Sequence, residues 1–270
     1  MNDNVIFFGG NYYAIDCTKM GIQQSKTENE NTLILTLAAI AMELKKQGAT
    51  AGAIHLGVGV PLTRVGAEKS DLEAYYKKQN RYSYEFEGVK YDIILSSVTV
   101  LPQGYSAVAG CISEFKRSTL IIDMGSWTID VLPLKEGKPE IGKCKSLQLG
   151  SIQAMQNINE QLRQQLGAEA DELTLKDVMI HGTSDIPDKY LSIIRSCLGD
   201  YVKDIMEQLR AQGFNPDLTQ FVFIGGGATI IDHFLDKKTY PNVTILSDVH
   251  INAKGYETLI YAKQRKGQLC

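Results

Sequence analysis

The residues best equipped for chemistry sit in "IIDMGSWTID", 121–130, where two acids, a glycine and two small hydroxyls fill a break between apolar runs. Asp123 follows Leu120-Ile121-Ile122, so a strand fixes its backbone while its carboxylate stands at the strand's end, able to bind a hydrated divalent cation. Gly125 lets backbone amides approach an anion, Ser126 and Thr128 add hydroxyl donors, and Asp130 supplies a second carboxylate. The run reads as a phosphate and Mg²⁺ loop. An ordinary polar hairpin uses the same residue types, and on this stretch alone the two readings stand level.

Two further segments carry a comparable signal. "FVFIGGGATI" places Gly225-Gly226-Gly227 between a strand and a helix, where missing side chains let a base or a phosphate lie against backbone. It is not the dinucleotide fingerprint, because the third glycine of that pattern is replaced by Ile230, and no Walker A sequence occurs. A tight strand-to-helix turn is the plain alternative, although such turns rarely need three glycines. "LPQGYSAVAG" puts Gln103 between Pro102 and Gly104, where a glutamine can orient water toward a phosphoryl group; read alone, a polar helix start is the better account.

Hydrophobic periodicity defines the elements that must hold these residues. "VIFF" and "YYAIDC" flank a hairpin at Gly9-Gly10-Asn11; "NTLILTLAAIAMELKKQG" is a helix stopped by Gly48; "AIHLGVGV" is a strand. Pro61 opens a helix through "RVGAEKSDLEAYYKKQ", alternating strands follow in "RYSYEFEGVKYDIILSSVTVLP" with a turn at Glu87-Gly88, and "QGYSAVAGCISEF" is a helix. A second series opens at "STLIIDMGSWTIDVLPLKEGKPEIGKCKSLQL", three strands with turns at Gly125-Ser126 and Glu136-Gly137-Lys138. Helices follow at "SIQAMQNINEQLRQQLG", "TLKDVMI" and "DKYLSIIRSCLGDYVKDIMEQLRAQG", then strand "QFVFIGGG", a helix from Thr229 to Leu235, strand "VTIL" and the helix "NAKGYETLIYAKQ". Strands followed by alternating helices and strands, stated twice, describe two α/β lobes of related design. Tyr82, Tyr84 and Tyr91 alternate as strand residues should, while Tyr75-Tyr76-Lys77-Lys78 and Lys263 to Gly267 read as solvated faces.

At 270 residues the chain can bury a substantial core. A net charge of -3, from 28 basic and 31 acidic residues, argues against direct binding to nucleic acid or an anionic membrane. The five cysteines, Cys17, Cys111, Cys144, Cys197 and Cys270, are scattered without a Cys-x-x-Cys pair, as suits reduced thiols. The histidines lack metal-ligand spacing. No apolar run reaches the roughly 18 residues of a membrane span, and the first residues lack a signal peptide's basic region, so a cytoplasmic location is expected.

The order of the three segments, Pro-Gln-Gly, then Asp-x-Gly-x-x-Thr-x-Asp, then Gly-Gly-Gly, resembles the actin-like ATPase superfamily, and within it the ParM/StbA group of plasmid-segregation actins. "DMGSWTIDV" is similar to their second phosphate motif, "VFIGGGATIIDHFL" to their adenosine motif, "NAKGYETLIYAK" to their closing helix, and "GVGVPLTR" to the segment before their first connecting helix. The resemblance implies an α/β, two-lobed actin-like (ribonuclease H-like) ATPase fold. The lobes would be 1–117 plus 251–270 and 118–250, with ATP in the cleft tying them together. It further implies that Asp123 contacts Mg²⁺ through water and that Gly125, Ser126, Trp127 and Thr128 lie beside the β- and γ-phosphates of ATP or ADP. Gln103 would orient the attacking water, Gly225, Gly226 and Gly227 would back adenine and ribose, and Gly150 would lie near the ribose. Implied partners are further copies of the chain, in a filament or dimer, and a DNA-binding adaptor protein through which filaments segregate plasmid DNA.

Two features depart from the family pattern. Trp127 stands where a small residue is usual. A first Asp-x-Gly phosphate motif is not found: "AIDCTKMG" offers Asp16 and Lys19, but Thr18 stands in place of the glycine, so the segment reads as the end of a strand. Against that pattern the first lobe begins one hairpin late, about fifty residues by the usual size of a strand pair, and the expectation is weak ATP binding and poor hydrolysis. A non-catalytic interaction protein of the same fold and a small-molecule kinase of the same superfamily are the competing readings; no first-lobe carboxylate is placed to serve the kinase.

Overall fold

The computed structural model describes residues 4–15, 27, 29–116 and 118–265. Its contacts divide the chain into two compact units, one formed by residues 1–60 and 64–101 and the other by 61–63 and 102–270. The first unit ends at Leu101, and the C-terminal helix falls in the second, where it packs on the segment just after Pro102.

In the first unit β1 (Val5–Phe8) and β2 (Asn11–Ala14) form the expected hairpin, with Gly9 and Gly10 at positive φ. Helix α1 (Asn31–Lys46) follows, then β3 (Ala51–Val60), a 3₁₀ turn at Leu62–Arg64, α2 (Val65–Tyr76), β4 (Arg81–Phe86) and β5 (Val89–Pro102). The sheet order is β2-β1-β4-β5-β3. One face carries the alternating aromatics: Tyr82, Tyr84, Phe86, Tyr91 and Ile93 are buried with Leu37, Ala41 and Leu44 of α1. Tyr75 and Tyr76 belong to this core and are not a solvated face, a correction explained by their hydroxyls. Tyr75 donates to Asn29 O at 2.7 Å and Tyr76 pairs with Thr36 Oγ1 at 2.9 Å, so both phenols keep a partner when buried. The segment from Asp16 to Lys26, with Cys17 and Lys19, lies outside the described residues, as do Lys266, Gly267 and Cys270.

The second unit begins with α3, which spans only Tyr105–Val108 and passes into a 3₁₀ turn at Ile112–Glu114. The expected helix over 103–115 is cut short because Gly104 is left-handed, at φ +74°, and Gly110 interrupts the repeat. Strands β6 (Ser118–Met124), β7 (Ile129–Lys135), β8 (Lys138–Pro139) and β9 (Lys145–Leu147) follow, so the third strand of the sequence reading is broken in two, both pieces pairing with β7. Next come α4 (Ser151–Leu166), α5 (Glu172–His181), α6 (Asp188–Ala211), β10 (Gln220–Ile224), α7 (Ala228–Phe234), β11 (Val243–Leu246) and α8 (Ile251–Arg265). The sheet order is β11-β10-β6-β7-β8; β11, β10 and β6 are parallel, and β7 is antiparallel to β6.

Both faces of this sheet are buried, which is why β6 and β10 are continuously apolar. Leu120, Ile122, Phe221 and Phe223 meet the large core under α4 to α7. Ile121, Leu132, Val222 and Ile224 meet a smaller core with Val108 of α3 and Ile251 of α8. Side chains alternate along a strand, so Asp123, in step with Ile121, and Asp130, in step with Leu132, must face the second side.

Candidate functional site

Asp123 and Asp130 are direct partners across the β6–β7 ladder, so their carboxylates share one face at the end of the sheet. They line a cavity of about 20 Å³ with Gln103, Leu62, Thr63 and Lys145, enough for about one water molecule. Lys145 directs its ammonium to Gln212. Burial pushes the Asp123 carboxyl above the usual carboxylate range; a hydrogen bond from Asn252 opposes the rise and the neighbouring Asp130 adds to it. Two acids so placed favour a cation between or in front of them, since a positive charge relieves both the desolvation and the repulsion.

The loop between the acids is built on the start of α4. Gly150 N donates to Trp127 O at 3.3 Å, Ser151 N to Gly125 O at 3.2 Å and Ile152 N to Ser126 O at 3.0 Å. Amides left over at a helix start thus serve the loop carbonyls. The crossing requires glycine at 150, where a Cβ would lie 2.3 Å from both Ser126 O and Trp127 C. The amides of Ser126, Trp127 and Thr128 donate to no acceptor supplied by the described residues, and Gly125 and Ser126 are exposed.

The triple glycine wraps the end of β6. Gly225, at φ +85°, passes so near Asp123 that a Cβ would stand 2.8 Å from Oδ1. Gly227 donates to Met124 O at 3.2 Å, and a Cβ there would stand 2.9 Å from Met124 Cβ. Gly226 is exposed, with Val249 beside it. The candidate nucleotide residues therefore lie around the end of β6: Gln103, Asp123 and Asp130 on one cavity, loop 125–128 and Gly150 in mutual contact, and Gly225 and Gly227 against Asp123 and Met124.

Two residues of this neighbourhood escaped the sequence reading. Asn252 Nδ2 donates to Asp123 Oδ2 at 2.9 Å while its Oδ1 accepts from Gly104 N at 2.9 Å. Tyr256 is buried, with a hydroxyl that faces Gln103 without reaching hydrogen-bond geometry. Burial, and then the Asp123 carboxylate, push this phenol far above its ordinary range. The available signal was the spacing in "NAKGYE": Asn252, Gly255 and Tyr256 fall on one helix face, where an amide and a glycine interrupt an apolar stripe.

Comparison with known families agrees with this architecture. A model described as the N-terminal domain of actin like proteins matches residues 1–105, and one described as archaeal actin homologue MreB-like, C-terminal, matches residues 121–237. The chain has the fold of the actin-like superfamily. Among solved structures it is similar to Ta0583, an archaeal actin homolog in complex with ADP, at 21% identity over 96% of this chain and 89% of that one, with a TM-score of 0.70. It is also similar to actin-like protein Alp7A, at 16% identity over 91% and 77% of the two chains and a TM-score of 0.73. Bacillus thuringiensis ParM with ATP gives 15% identity, coverage of 92% and 78%, and a TM-score of 0.69. Comparison with curated proteins gave no match. Among the described residues no helix of this actin-like chain is long and apolar enough to cross a membrane.

Proposed function

We propose that this actin-like chain binds ATP and ADP with Mg²⁺ at the end of β6 and assembles with further copies of itself into nucleotide-dependent filaments. One observation carries the reading: three segments far apart in sequence, around 103, 123–130 and 225–227, converge on one pair of half-buried acids beside amides that no described acceptor receives. The residues suit the cofactor. Amides of 126–128 without protein acceptors suit the β- and γ-phosphates, and the raised carboxyl of Asp123 suits a hydrated cation. Exposed Gly226 with Val249 suits the flat face of a base, with Gly227 next to it in the turn, and Gly150 would lie near the ribose. Bound Mg²⁺ would neutralise phosphate charge. Gln103, on the water-sized cavity beside Asp123, would orient water for hydrolysis, converting an assembling state into a dissociating one. In the cytoplasm such filaments would segregate plasmid DNA through a DNA-binding adaptor, the chain itself carrying a net charge of -3.

A specific observation favours a second reading, the non-catalytic interaction protein. Gly150, Gly225 and Gly227 are all required by contacts within the chain, so their presence does not by itself demand a ligand. The single tryptophan, Trp127, lies in the phosphate loop and reports directly on it. Titration of ATP or ADP with Mg²⁺ is expected to change Trp127 emission saturably, to raise light scattering with ATP, and to give filaments by electron microscopy. Asp123→Ala should weaken the magnesium-dependent part. An emission unchanged by nucleotide at millimolar concentration would exclude the first reading and leave the second.

A further inference from the structure

We propose that Asn252, at the head of α8, is a positioning residue that holds Gln103 and Asp123 in a single arrangement, so that both address the same water-sized cavity. The inference rests on the nucleotide reading above and adds the element that assembles the site.

The Asn252 carboxamide is engaged at both ends, by Asp123 Oδ2 and by the Gly104 amide, each at 2.9 Å. A backbone amide can only donate and an ionised carboxylate can only accept, so the two partners fix which way the carboxamide points. Turning it over would lose both bonds. Gly104, at φ +74°, holds a conformation that few other residues adopt, and it directly follows Gln103. Asn252 therefore fixes the peptide that aims Gln103 and, through the same side chain, the rotamer of Asp123.

Helix α8 touches this region twice more. Gly255 crosses α3 so closely that a Cβ would stand 2.0 Å from Ser106 O. Tyr256, one turn beyond Asn252 on the same face, buries its hydroxyl beside Gln103 and near Asp123. The charged and titratable groups around Asp123 are Asp130 on β7, Tyr256 on α8 and Lys145 on β9; among them and the other described residues, only Asn252 makes a side-chain hydrogen bond to Asp123. A helix anchored at three points can transmit a change at the acids to its C-terminal half.

The test compares Asn252→Ala, which removes both bonds, with Asn252→Asp, which keeps an acceptor for Gly104 and removes the donor to Asp123. Both should lower ATP turnover by about ten-fold or more, as misplaced reacting groups do, while nucleotide affinity from Trp127 emission stays within about two-fold. Hydrogen exchange at the Gly104 amide should accelerate about ten-fold in Asn252→Ala and remain slow in Asn252→Asp. Undiminished turnover in Asn252→Ala, or affinity falling in step with turnover, overturns the proposal. If the unmutated chain shows no nucleotide response, the nucleotide reading fails separately. The coupling is then decided in nucleotide-free protein by Gly104 exchange and the Gln103 carboxamide resonance: Asn252→Ala moves both if it holds and neither if it does not.

Discussion

Gly150→Ala should destabilise the second unit more than any capping preference predicts. A Cβ at position 150 would stand 2.3 Å from Ser126 O and Trp127 C, so the loop must retreat by about 0.7 Å before that contact reaches even 3.0 Å. The obstacle is backbone and cannot rotate aside. The same retreat stretches the hydrogen bonds from Gly150, Ser151 and Ile152, now 3.3, 3.2 and 3.0 Å, past useful length. Three bonds at about 1 kcal/mol each give a loss of about 3 kcal/mol, against about 1 kcal/mol for replacing glycine by alanine at a helix N-cap. Urea unfolding followed by circular dichroism and by Trp127 emission reads both consequences. With a slope of about 2 kcal/mol/M, the midpoint should fall by about 1.5 M, and Trp127 emission of the folded variant should shift. A loss within about 1 kcal/mol with unchanged emission would refute the argument that α4 seats the loop.

Other substitutions probe different parts of the chain. Gly199→Ala, in the interior of α6 with nothing within 4 Å of the added methyl, should stabilise by about 0.5–1 kcal/mol in the same urea assay. Tyr201→Phe removes the donor to Leu149 O at 2.5 Å, just before Gly150, and should cost about 1–2 kcal/mol by the same measurement. Burial pushes Tyr76 up to about 12 from 10.0, so its contribution is complete below pH 10 and is lost as pH rises through 12; alkaline unfolding followed by circular dichroism and phenolate absorbance should be shallower in Tyr76→Phe.

Much of this architecture was legible because the sequence states it locally. The hairpin at Gly9-Gly10, the helix ended by Gly48, and the apolar runs of β6 and β10 follow from turn chemistry and periodicity, and the structure has them within a few residues. Period-2 alternation also places Asp123 and Asp130 on one face once the turn at 125–128 is recognised. What failed depended on distant contacts. Tyr75 and Tyr76 sit beside two lysines and look solvated, yet Asn29 and Thr36, far away in sequence, accept and pair with their hydroxyls and let them be buried. Asn252 lies more than a hundred residues from both of its partners, and nothing near it in sequence marks an amide shared between a carboxylate and a backbone N–H.

The three consecutive glycines do not share one physical reason. Their weight as a ligand wall came from being more glycine than a turn needs. The structure gives two of them an internal cause: Gly225 by its left-handed backbone and its approach to Asp123 Oδ1, Gly227 by its approach to Met124. Only Gly226, exposed beside Val249, is left for a ligand to explain. The three positions should therefore separate on substitution. Gly225→Ala and Gly227→Ala meet contacts of 2.8 and 2.9 Å and should each lose about 1–3 kcal/mol of stability in urea, whether or not nucleotide is present. Gly226→Ala meets only the Val249 methyl at 3.3 Å, so stability should hold within about 0.5 kcal/mol. If a base lies on that backbone, the added methyl should instead weaken nucleotide binding, read from Trp127 emission, by about ten-fold. Equal affinity in Gly226→Ala and the unmutated chain would mean that the glycine run serves the closing of β10 over β6 and nothing beyond it.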